Sequence, residues 1–276
     1  MSTPLLHRLF QIFQSQLSSA SPANRSRRTR IRRQTVAAEM LEGRQLPAQI
    51  VVTSLLDDTI ADGQVTLREA IEAANLDQSV DGSAAGSGTD EIVFSRALLT
   101  TGSVQINISA GELVITSPLK ITGFGPASTV LSAQGLSRLF RISDTITSGA
   151  SSVELTGLGL TGGVTFLDPT AESPNEQNGG AILHDADGTL KLVDCLLSDN
   201  QTFGIGAAGG AIYTEYGCTL VGCIVQNNRT HGIEAPGGAI CTFSGFLDIS
   251  ETVVIGNATT NNDSPGGAVF TGTNGA

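Results

Sequence analysis

Gly209-Gly210-Ala211-Ile212 is the stretch on which the reading of this chain turns, because it returns almost unchanged. Gly179-Gly180-Ala181-Ile182, Gly237-Gly238-Ala239-Ile240 and Gly266-Gly267-Ala268-Val269 are its other copies, at intervals of 30, 28 and 29 residues. A fixed period of this size marks a solenoid or a propeller. The second half of each unit aligns too. Leu190-Lys191-Leu192-Val193-Asp194-Cys195 precedes Asn200, Cys218-Thr219-Leu220-Val221-Gly222-Cys223 precedes Asn228, and Leu247-Asp248-Ile249-Ser250-Glu251-Thr252 precedes Asn257. A looser copy, Val153-Glu154-Leu155-Thr156-Gly157-Leu158, has Gly163 in the asparagine place, and the polar loop Leu167–Asn178 lengthens that unit.

Within each unit apolar residues alternate (Leu190 and Leu192, Cys218 and Leu220, Leu247 and Ile249), the period of a strand with one buried face. Glycines interrupt the runs too often for α-helices. The expected fold is all-β, a right-handed parallel β-helix, in which like residues of successive coils stack ~4.8 Å apart. Its interior ladders would be Leu155, Leu192, Leu220 and Ile249, then Val153, Leu190, Cys218 and Leu247. The paired glycines suit a bend that needs positive φ or leaves no room for Cβ. Asn200, Asn228 and Asn257 would form an amide ladder at a turn. A propeller needs about four strands per unit, whereas two or three short ones are expected here.

Upstream, Ile50-Val51-Val52 reads as a strand, and Thr66 with Glu69 as a capping box. Leu67, Ala70, Ile71 and Ala74 then make one apolar helix face, with Asn75 as the stop. Such a helix suits a cap over the first coil. Asp57-Asp58, Leu67-Arg68-Glu69-Ala70-Ile71, Asn75 and Asp90-Glu91-Ile92-Val93-Phe94 resemble the Cys-Ser-Leu-Arg-Glu-Ala module that precedes pectin-lyase-like β-helices of exported bacterial proteins, with Val65-Thr66 here in place of Cys-Ser. The Gly-Gly-Ala-Ile repeats resemble those of chlamydia-type polymorphic outer membrane proteins. Leu197, Val225 and Val254 stand where that family has the Phe of Phe-x-x-Asn. The organisation expected is a basic leader at 1–48, a capping module at 49–98 and coils from 99 to 276.

Charge divides the chain in the same way. Residues 1–48 hold eight arginines against Glu39 and Glu42, leaving seven basic and 24 acidic residues, a net of −17, in the remainder. A body this acidic repels phosphate backbones, so nucleic acid is not an expected partner. No run is long enough for a membrane-spanning helix. Val36–Ala48 resembles the Leu-Glu-x-Arg type of N-terminus on large exported bacterial proteins, which implies an export leader and an extracellular or outer-membrane-associated location. Cys195, Cys218, Cys223 and Cys241 form no CxxC pair, which argues against zinc. Cys195 and Cys223 fall in one column, where parallel free thiols are favoured over a disulfide.

The only candidate catalytic pair is Asp185 and Glu215, each six residues after the first glycine of its repeat. Stacked one coil apart, two carboxylates meet the spacing of a glycosidase, although outer-face solvation explains them as well. Any Ca²⁺ binding there would be weak, because no Asp-x-Asp-Gly loop accompanies them, and no other cofactor is expected. A lyase would need a basic residue beside an acidic column, which Lys191 and Arg229 do not offer in the alignment. Arg68 is assigned to the cap, His184 to a structural position beside a turn, and His231 to a polar loop. Phe140, Phe243 and Phe246 are assigned to core or stack positions. The function expected is non-enzymatic surface display or adhesion. Loops 167–178, 201–208 and 229–236 would meet an extracellular protein or glycan, and a polysaccharide lyase or hydrolase is the alternative. Since Thr271–Ala276 follow a fourth glycine motif, the last coil is expected to continue, to fray or to be covered by a partner.

Overall fold

A computed structural model of the chain describes residues 47–99, 102–144, 152–166, 174–261 and 263–272, all within the compact unit Arg44–Ala276. The expected leader, nearly all of it before residue 47, lies outside the described residues, as do 167–173 of the long loop and the last four residues.

Short strands stack in parallel through the chain, each pairing with its counterpart one turn on, as a parallel β-helix requires. One sheet runs Gln49–Val52, Asp90–Phe94, Leu119–Thr122, Val153–Thr156, Leu190–Val193, Gly217–Val221 and Phe246–Ser250. Two six-stranded sheets complete the coil, and a narrow fourth is built from Val164–Thr165, Gln201–Thr202, Arg229–Thr230 and Ala258–Thr259. Each later coil therefore carries four strands rather than the two or three expected, because the two-residue strand after each asparagine is too short to show a period. The pairing between coils is parallel, which rules out propeller blades.

The register places the expected ladders inside. Leu192 pairs with Leu155 and Leu220, and Leu220 with Ile249; Leu190 pairs with Val153 and Cys218, and Cys218 with Leu247. Leu155, Leu192 and Leu220 are fully buried, each such side chain contributing roughly 1.5–3 kcal/mol before entropy. Phe140, Ile182, Ile212 and Ile240 form a parallel row, also wholly buried. Burial fades in the last coil, where Leu247 is only partly covered and Ile249 is 38% exposed.

The glycine pairs make the bends. Gly179, Gly209, Gly237 and Gly266 lie at φ between 63° and 66°, the left-handed region. The second glycine meets the next coil: a Cβ on Gly210 would run into the Gly238 carbonyl, and one on Gly180 into that of Gly210.

The helix Leu67–Leu76 starts as expected. Thr66 Oγ1 accepts from Glu69 N–H, and Glu69 Oε2 accepts from Thr66 N–H. It does not stop at Asn75; Asp77 in the left-handed conformation ends it. Asn75 bonds the backbone of Val114 and Thr116 instead. Arg68 forms a two-pronged pair with Asp57 (2.9 and 3.1 Å) and so belongs to the cap.

Candidate functional site

The asparagines fix the turn on which the site depends. Asn228 Oδ1 accepts from both the backbone N–H and the Nδ2 of Asn200 at 3.0 Å, while its own Nδ2 donates to Leu197 O and Asn257 Oδ1. Gly163, in the asparagine place one coil earlier, donates its N–H to Asn200 Oδ1. Two residues after each asparagine a threonine ties down the loop that follows: Thr202 Oγ1 donates to Ala207 O, and Thr230 Oγ1 to Ala235 O, five residues on. Thr165 does the same to Gln177 O across 12 residues, which places the surplus of the long loop between them.

The loops so anchored fold back over the outer face of one sheet. There Leu183, Tyr213 and Cys241 stand in one row and, with Ala208, form a second apolar cluster outside the coil. Beside it opens a groove of about 290 Å³, lined by Ile205, Ala208, Tyr213, Pro236 and Phe243 together with Glu215 and Glu234. Ile205 is 69% exposed, and Ile233 and Phe243 nearly half exposed, so this flank presents apolar surface to solvent. Phe243 and Phe246 are thus not core residues, unlike Phe140, which is fully buried. Phe246 lies against Gly217 with its ring largely in solvent.

Asp185 and Glu215 do fall on successive coils, since their strands pair Ile182 with Ile212 and His184 with Thr214. Their surroundings differ. Asp185 faces Arg141 at 3.5 Å, and one of its oxygens is buried without a hydrogen bond. Burial raises its carboxyl above the usual range, opposed by Arg141. Plain solvation of an outer face therefore does not describe Asp185, which sits half-buried in an ion-pair group with Arg141 and Glu176. Glu215 lines the groove.

Lys191 stands in a column of alternating charge and not an acidic one, since Glu91, Lys120, Glu154 and Lys191 pair in turn. Glu154 is one coil before Lys191, 3.1 Å away, and also meets Lys120 at 3.3 Å. The alignment of Val153–Leu158 with Leu190–Cys195 sets Glu154 opposite Lys191, 37 residues on, and the structure pairs them. Each charge here already has a partner of opposite sign, the arrangement of a solvated face.

His184 ends the strand Ile182–His184 just before the bend at 186–188, with its side chain buried inside the coil. Its Nδ1 lies 2.8 Å from Thr214 Oγ1, its Nε2 has no partner, and burial lowers its pKa to about 4. His231 meets Gln201 Oε1 through Nε2 and Thr260 Oγ1 through Nδ1. It stacks on Phe203 with centroids 4.3 Å apart, and Phe203 stacks on Phe166 at 5.7 Å. This column was overlooked, although each member stands three residues after Gly163, Asn200 or Asn228. The rings stack one coil above another and so brace the loops they stand on.

Cys195, Cys218, Cys223 and Cys241 are buried free thiols. Among the described residues no group of three or more His, Cys, Asp or Glu is arranged to hold a metal ion, and no helix is long and apolar enough to cross a membrane. The groove and the stacked loops beside it are the candidate site. Comparison with protein-family models, with curated proteins and with solved structures finds no match to this chain.

Proposed function

We propose that this chain is an exported, cell-surface β-helix that acts in adhesion or display, using the loop flank to meet an extracellular protein or glycan. The observation that carries the reading is exposed apolar side chain gathered on one flank: Ile205 and Ile233 on anchored loops one coil apart, and Phe243 after a strand end, lining the groove with Ile205. Rigid loops that hold apolar groups in water suit binding better than they suit stability. The basic leader and the resemblance to polymorphic outer membrane proteins and to the Cys-Ser-Leu-Arg-Glu-Ala module support export to the surface. The test is binding of the purified protein to arrayed glycans and extracellular proteins. Binding should be lost on Ile205→Ser with Phe243→Ser while the coil stays folded; unchanged binding would reject the flank.

One observation favours a polysaccharide-cleaving enzyme as the second reading. Asp185, whose carboxyl burial raises above the usual range, stands one coil from Glu215, and a raised carboxyl beside a second one is the arrangement of a general acid with its partner. Incubation with polyuronides, with and without Ca²⁺, would reveal unsaturated products or new reducing ends. Turnover abolished by Asp185→Ala or Glu215→Ala would favour this reading over adhesion.

A further inference from the structure

We infer that the groove beside Tyr213 receives a basic side chain, Lys or Arg, from an extended segment of a partner protein. The inference rests on the reading of this flank as a contact surface and names the chemistry it selects. At about 290 Å³ the groove has room for one long side chain and not for a folded element. Its floor is apolar and uncharged: Tyr213 is 3% exposed, and Cys241 is fully buried, its thiol pushed up to about 12 by burial. Glu215 and Glu234 supply the lining's charge, and no lining residue is basic.

Glu234 occupies its place against a local preference. Its φ is 56°, in the left-handed region that L-residues avoid, and the residue one coil earlier is Gly206 at φ 71°. An apolar trough with carboxylates beside it matches an alkyl stem carrying a cation, which lies along apolar surface and keeps its charged head at the polar edge. The Tyr213 ring adds attraction for the cation. Beyond the leader the body carries a net −17, which would draw a basic partner from a distance. A neutral or acidic glycan would use none of these charges.

The test follows the isoleucine methyl resonances of the full chain by NMR during titration with acetyl-Gly-Lys-Gly-amide, its Arg counterpart and its norleucine counterpart. The Lys or Arg peptide should shift the Ile205 and Ile233 methyls saturably, and norleucine should bind at least tenfold more weakly. Glu234→Gly, which restores the residue of the preceding coil and keeps the backbone relaxed, should weaken the basic peptide at least threefold, as should Glu215→Gln. Methyls elsewhere should keep their positions, which reports that both variants are folded. Equal binding of norleucine would overturn the cation and leave the contact surface standing. Shifts spread over the acidic body and indifferent to Glu234→Gly would overturn it as non-specific attraction. Ile205 shifts produced by neutral oligosaccharides and by no peptide would overturn it in favour of a glycan. No shift at Ile205 or Ile233 from any probe, peptide or oligosaccharide, would remove both this inference and the flank on which it rests.

Discussion

Arg68 and Asn75, seven residues apart on the capping helix, both bond the backbone at one end of a sheet, where Leu113–Ile115 is the last strand among the described residues. Arg68 donates to Gly111 O at 2.7 Å and Glu112 O at 3.1 Å; Asn75 donates to Val114 O and accepts from Thr116 N–H. A spacing of seven is about two helical turns, so the two side chains leave the same face and bond that edge as a further strand would.

From this pairing, Asn75→Ala should destabilise the fold by about 1 kcal/mol, since water reaches part of the site. Arg68→Ala should cost about 3 kcal/mol, because it leaves the Asp57 carboxylate, whose side chain is 2% exposed, with the Ser109 and Ala110 N–H groups and without its cation. Adding Asp57→Asn should recover part of the loss. Urea denaturation of the three variants measures all of these changes.

The asparagine ladder predicts a graded series. Asn228 is fully buried and bonds on both sides, so Asn228→Ala leaves Asn200 N–H unpaired and takes a donor from Leu197 O, at roughly 3 kcal/mol. Asn257→Ala, in the partly exposed last coil, should cost about half as much. Hydrogen exchange at Asn200 N–H should quicken in the first variant and not in the second.

The glycine pairs predict a contrast between chemically identical changes. Gly210→Ala drives a methyl into Gly238 O and should destabilise by about 3 kcal/mol. Gly267 holds the same place in its repeat, but a Cβ there meets nothing within 4 Å and its φ is not positive. Gly267→Ala should leave the melting temperature unchanged.

His184 predicts a pH dependence. Its pKa falls from 6.5 unfolded to about 4 folded, through burial that Asp144 partly opposes, so the unfolded chain binds the extra proton. Stability should therefore be flat above pH 6.5 and fall as pH drops to about 4, by roughly 3 kcal/mol in all. The raised carboxyls of Asp90 and Asp185 work the other way, favouring the folded state at low pH. The clean measurement is accordingly the difference from His184→Gln, in which the downward slope between pH 6.5 and 4 should be shallower, the remainder including His231, whose pKa burial also lowers.

The sequence by itself determined the solenoid, because a coil is a local unit repeated and its inward residues recur at a fixed interval. Leu155, Leu192 and Leu220, the asparagine ladder and the capping box were all readable for that reason. What loops and helix ends meet was decided only by the tertiary structure. The loop after Asn200 and the strand end at Phe243 are some 40 residues apart in sequence, yet they border one groove. Asn75 found its use at Val114 rather than at the helix end. Period reports which residues share a row, since stacking repeats them; it carries no information about chain that departs from the repeat and folds back, where binding surface is made.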